Sequence, residues 1–153
     1  MKQLLLYSTL VLIILLGCQD EGDFSPEITY ARSGCYGPCP QFSIHIFSDG
    51  TLEYIGLHFV KVQDTVTEHI TDDQVTQLNN AFEECHYFSL KDSYLIGPTD
   101  FETIYTSYKV KGICKAVTHY EGDQSAPAAL DTLYVRIEKI LNVARWVGTN
   151  GPF

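Results

Sequence analysis

The sequence predicts an α+β fold in a single domain: an antiparallel sheet of hairpins with two helices packed on one face, in the order ββββ-α-ββ-α. Three observations carry this. Apolar residues alternate around an Asp-Gly turn, two later stretches repeat apolar residues at helical spacing, and a second pair of alternating runs lies between those stretches. A chain of 153 residues supports one hydrophobic core, placed here over residues 27–148 with a short tail at 149–153.

The first hairpin runs from Phe42 to Tyr54 around Asp49-Gly50. A two-residue loop would set Ile46 opposite Glu53 and mix the faces. A three-residue loop, Ser48-Asp49-Gly50 with Gly50 left-handed, gathers Phe42, Ile44, Ile46, Leu52 and Tyr54 on one face and Ser43, His45, Thr51 and Glu53 on the other, so it is the expected register. Two more extended runs, Leu57–Val62 and Thr65–Ile70, continue the meander across Gln63-Asp64.

Thr71 caps the first helix, Gln74 completes a capping box, and Ile70 with Val75 occupy the positions of a hydrophobic staple. Its buried stripe is Val75, Leu78, Phe82 and Cys85. Past Gly97-Pro98, the runs Thr103–Val110 and Ile113–Tyr120 form a second hairpin around Lys111-Gly112. The second helix opens near Ser125 with Pro127 in its first turn and carries Leu130, Leu133, Ile137, Ile140, Leu141 and Ala144 as a continuous stripe.

Ahead of the domain, Lys2 and the mostly apolar residues 4–16 lead into Leu15-Leu16-Gly17-Cys18. This order is that of a cleaved export signal. A mostly apolar run of thirteen residues gives about 20 Å of helix against a hydrocarbon core of about 30 Å, too short to span. The ending resembles the lipobox of bacterial lipoproteins. That resemblance implies a signal peptide at 1–17, a covalent lipid on Cys18, and a protein held at the cell envelope on the outer membrane, at its periplasmic face or the cell surface. Residues 18–26, acidic and lacking apolar periodicity, read as a tether. A net charge of −9 with no basic stripe repels phosphate backbones, which excludes nucleic acid as a partner and leaves membrane contact to the lipid. No signal for oligomeric state is present.

With Cys18 lipidated, four cysteines remain, an even number suited to disulfides in an exported chain. Cys35 and Cys39 are the obvious pair. Cys85 and Cys114 are open between a second bridge and free thiols. The segment Cys35-Tyr36-Gly37-Pro38-Cys39-Pro40 invites a redox reading, since removing Tyr36 leaves the Cys-Gly-Pro-Cys of thioredoxins. Redox dithiols, however, use two intervening residues at a helix N-terminus, whereas this chain continues through Pro40 into a strand. A structural staple at the strand's entrance is the favoured reading, with thiol-disulfide or metal chemistry at Cys35 and Cys39 as its alternative.

No zinc half-site partners these cysteines: His45, His58, His69, His86 and His119 show no paired ligand spacing. No phosphate-cradling Gly loop, nucleophile elbow or His-Glu-x-x-His helix occurs. Asp49 serves a turn, and Asp72 and Asp73 suit the first turn of a helix. Asp100 has no such duty and marks the place where a small hydrolase would have its site. The aromatics Tyr36, Tyr54, Tyr94, Tyr105, Tyr108 and Trp146 exceed what a core of this size needs, so a share of them is expected on a binding face.

The segment Cys35–Pro40, followed by a strand and Ser48-Asp49-Gly50-Thr51, then Tyr94, Thr99-Asp100, Ala126-Pro127 and Trp146, resembles a bacterial family of unknown function. Its exported or lipid-anchored members bear a Cys-Phe/Tyr-Gly-x-Cys-Pro signature, and the resemblance spans roughly Ile28 to Val147. Tyr36, Gly37, Pro40, Asp49, Gly50, Asp100 and Pro127, with both cysteines, match motif positions to which the resemblance assigns no role. The expected function is a non-enzymatic binding or structural module without a cofactor, whose partner is an envelope protein or a glycan.

Overall fold

The computed structural model describes residues 27–97 and 100–148. The expected signal peptide, Cys18, the tether up to residue 26, the tail at 149–153, and Pro98 and Thr99 lie outside the described residues.

Seven strands form one sheet: β1 (Ile28–Arg32), β2 (Gln41–Ile46), β3 (Thr51–His58), β4 (Thr65–His69), β5 (Ser93–Tyr94), β6 (Thr103–Val110) and β7 (Ile113–Tyr120). Their spatial order is β4-β3-β2-β1-β6-β7-β5, antiparallel throughout except for the short parallel pair β5 and β7. The sheet is therefore mixed rather than built of hairpins alone. The helices are α1 (Asp72–Glu84), α2 (Ala128–Leu141) and α3 (Ala144–Val147).

The β2–β3 register is the three-residue-loop register: Ile46 faces Leu52, Ile44 faces Tyr54, and Gly50 has φ +81°. Asp49 Oδ1 accepts from the Thr51 amide at 2.8 Å, closing the turn. The capping box forms as well, Thr71 Oγ1 accepting from the Gln74 amide while Gln74 Oε1 accepts from the Thr71 amide.

Three expectations need correction. β1 lies outside the expected hairpins, although it is the central strand joining the two antiparallel halves. Its alternation, Ile28-Tyr30-Arg32, ends on a charge and so lacks the usual strand signature. Leu57–Val62 is not a separate strand. β3 runs on to His58 and the chain folds back at Phe59, φ +54°, so tightly over Gly56 that a Cβ there would lie 1.9 Å from the Val62 carbonyl oxygen. Finally, α2 begins at Ala128 with Pro127 as its N-cap and stops at Asn142, whose φ of +51° turns the chain into α3, so Ala144 belongs to a different helix.

All three helices cover the same face. The period-two register gathers Tyr30, Phe42, Ile44, Leu52, Tyr54, Ile104, Tyr108 and Val117 there, nearly all fully buried. α1 stacks Phe82 on Tyr108 with ring centroids 4.5 Å apart, α2 stacks Tyr134 on Tyr30, and α3 stacks Trp146 on Tyr54 at 4.8 Å. Tyr54, Tyr94, Tyr108 and Trp146 are thus core residues; of the aromatics expected at the surface, Tyr36 and Tyr105 are exposed.

Candidate functional site

β1 alternates, so Tyr30 and Arg32 point to the same covered face as the core, and Arg32 enters it at the sheet end where β6 begins and β7 finishes. Glu102 immediately precedes β6 and Glu121 immediately follows β7. The backbone bond from the Glu121 amide to the Glu102 carbonyl, 3.1 Å, holds the two side by side. Glu138 comes from α2, one turn beyond Tyr134. Four elements thereby deliver three carboxyls to one guanidinium.

Arg32 is fully engaged. Its Nε donates to Glu102 Oε2 at 3.0 Å and its Nη2 lies 2.7 Å from Glu102 Oε1, a two-pronged pair. Nη1 reaches Glu138 Oε1 at 2.8 Å and Nη2 reaches Glu121 Oε1 at 2.9 Å. The Tyr30 hydroxyl donates to the same Glu138 oxygen at 2.5 Å. Arg32, Glu102 and Glu138 are 8%, 2% and 10% exposed, so this is a buried charge network; Glu121, at 33%, is its open edge. Burial pushes the Glu102 carboxyl up to about 7 against the pull of Arg32. Burial also raises Glu138, opposed by the Tyr30 and Arg32 hydrogen bonds. Burial works to lower Arg32, but Tyr30 and the three carboxylates outweigh it and hold the guanidinium charged.

Against this network lies a cleft of about 480 Å³, lined by Arg32, Glu121, Glu138, Asp131, Tyr134 and Val135 among others. Behind its Tyr134 wall, His119 Nδ1 lies 3.2 Å from the Tyr134 hydroxyl and burial lowers the imidazole pKa. Among the described residues, no group of three or more His, Cys, Asp or Glu side chains is placed to hold a metal.

The residues singled out from sequence lie elsewhere. Cys35 and Cys39 form a disulfide with their Cα atoms 5.6 Å apart. Their loop is pinned by the Tyr36 amide donating to the Asp100 carbonyl at 3.2 Å and by Ser33 bonding twice to Thr103, while the Tyr36 side chain is 91% exposed. The motif positions Cys35, Tyr36, Gly37, Cys39 and Pro40 are thus brought together with Asp100, whose contribution is backbone. Asp49 and Gly50 sit at the other end of β2, and Pro127 caps α2.

Cys85 and Cys114 do not pair. Cys85 closes α1, buried, with its thiol bonded to the Ala129 carbonyl and pushed up by burial to about 11, whereas Cys114 is exposed on β7 beside the hairpin turn. Removing the Cys35–Cys39 bridge by Cys35→Ser with Cys39→Ser is expected to lower stability by about 2 kcal/mol, the loop-entropy value for so short a ring. Urea unfolding checks the loss, with the Arg32 network unchanged.

Arg32, Glu102, Glu121 and Glu138 were not anticipated. The available signal was a cation on the apolar face of one element and an anion on the apolar flank of another. Arg32 continues the Ile28-Tyr30 alternation, and Glu138 follows Tyr134 by four residues on the buried side of α2.

A family model for a domain of unknown function, DUF6438, matches residues 26–141, a span that includes the disulfide loop and all four members of the charge network. No curated protein matches the chain.

Proposed function

The chain belongs to the DUF6438 family of domains of unknown function, and on that premise we propose that it is a non-enzymatic binding module held at the cell envelope by a lipid on Cys18, with the cleft between β1 and α2 as its recognition site. The observation that carries this reading is the state of the cleft. Glu138 and one oxygen of Glu121 are held by Arg32 and Tyr30, and no Ser, Thr, Cys or His lines it, so it offers preset polar contacts and an apolar wall but no hydroxyl–imidazole or thiol–imidazole pair. A preorganised wall favours binding because little side-chain freedom is lost on contact. The partner is an envelope protein or a glycan.

Titrating the isotope-labelled protein with a fragment library, alongside an unbiased turnover panel, tests this. Saturable NMR shifts confined to the cleft, without turnover, are expected. Robust turnover abolished by Glu121→Gln would overturn the non-enzymatic reading.

The anchor has its own test. Cys18→Ala is expected to abolish incorporation of a labelled fatty acid and to leave the protein out of the membrane fraction; labelling or membrane retention in the variant would remove the lipid from the proposal.

A further inference from the structure

We propose, on the reading of the cleft as a binding site, that its ligand is an organic cation: an ammonium or guanidinium group seated on Glu121 and Glu138, with its carbon skeleton against Tyr134 and Val135. Arg32 leaves acceptors unfilled. One guanidinium faces three carboxylates, and all its contacts fall on both oxygens of Glu102 but on only one oxygen each of Glu121 and Glu138. Glu138 Oε1 takes both the Tyr30 hydroxyl and Arg32, while its Oε2 has no hydrogen-bond partner among the described residues, although the side chain is nine-tenths buried. No fully buried side-chain oxygen in the described residues lacks a partner, so this one opens on the cleft that Glu138 lines. Among the described residues Glu121 Oε2 is likewise without a partner, and the solvent-exposed Asp131 on the same lining makes no hydrogen bond or ion pair.

Acceptors in such a setting call for donors that also bring positive charge. An anion would be repelled, and a neutral donor would satisfy the oxygens but not the excess charge, which Lys139 on the rim offsets only in part. A bare metal ion is disfavoured because the carboxylates do not converge on a point. A cleft of about 480 Å³ exceeds the needs of an ammonium alone, and the exposed Val135 side chain, beside the rim of the Tyr134 ring that Tyr30 and His119 stack upon, gives the carbon chain an apolar surface.

The test titrates the purified full chain with agmatine, which carries a guanidinium and an ammonium, beside 1,5-pentanediol and succinate as neutral and anionic probes of like length. Agmatine is expected to shift the amides around Asp131, Tyr134 and Glu138 and to bind at least tenfold more weakly in Glu121→Gln with Asp131→Asn, whose fold is checked by circular dichroism. Stronger binding of the diol or succinate in the cleft would sink the cation while leaving the binding site in place. Silence from all three probes would likewise sink the cation, while the binding-site reading stands or falls on the fragment titration. Agmatine binding unchanged in the double variant would show that Glu121 does not seat the cation and equally overturn the inference.

Discussion

Arg32→Met is expected to lower the unfolding free energy by about 3–5 kcal/mol at pH 7.5, the loss seen when one member of a buried ion pair is removed and its partners stay behind. Methionine keeps much of the apolar volume of the arginine stem, so the loss reports charge rather than packing. Without Arg32, Glu102, Glu121 and Glu138 face one another at one sheet end with no cation among them, and Glu102 at 2% exposure has no route to water. The deficit is therefore pH-dependent. By pH 5 the buried carboxyls of the variant take up protons and much of the loss disappears. Urea unfolding at pH 7.5 and 5.0 measures both values. A deficit under about 1 kcal/mol at pH 7.5, or one that does not shrink on acidification, would show that the network does not fasten α2 to β1. Adding Glu102→Leu to Arg32→Met is expected to return part of the loss, because it removes the most deeply buried of the orphaned charges.

The contrast between this network and the disulfide loop shows where sequence reasoning reaches and where it stops. The β2–β3 register, the Asp49-Gly50 turn and the Thr71 capping box follow from residues near one another in the chain, each fixed by a period or a local hydrogen bond, and each forms as expected. The Cys35–Cys39 pair is legible for the same reason. The charge network assembles residues as far apart as Arg32 and Glu138, 106 positions along the chain, and no local rule links them. Recognising it required β1, and β1 is the strand whose pattern Arg32 itself interrupts. Strand order hides similarly: β1 pairs with β6, a neighbour that hairpin logic does not supply. The aromatic surplus misled because the sheet takes one large ring layer from each helix, which absorbs Tyr54, Tyr108 and Trp146 into the core. Asp100 illustrates the converse error. Its conspicuous isolation in a loop suggested chemistry, whereas its backbone serves the disulfide loop and the buried acid is its near neighbour Glu102.

The contribution of Glu102 to stability is expected to fall as pH rises from about 4.5 to about 7, by up to about 3 kcal/mol, the opposite of the usual behaviour of a salt-bridged acid. The sign follows from burial. Glu102 ordinarily titrates at 4.5, and burial raises it in the fold to about 7. Between those values the folded chain holds a proton that the unfolded chain has released, so each step up in pH favours unfolding. Below 4.5 both states are protonated and the contribution is complete; above 7 both are ionised and it is gone. Glu138, raised for the same reason, adds in the same sense. His119 opposes them, since its lowered pKa makes stability rise with pH up to its ordinary value of 6.5. Asp49 and Asp123, both lowered, act only at more acidic pH. The decisive quantity is accordingly the difference between the wild type and Glu102→Gln, in which the His119 and Glu138 contributions largely cancel. Thermal and urea unfolding across pH 4 to 8 should give a difference that declines through this window and levels off above it. A flat difference would mean that Glu102 is ionised throughout beneath Arg32, and that Arg32 offsets the cost of burying its charge.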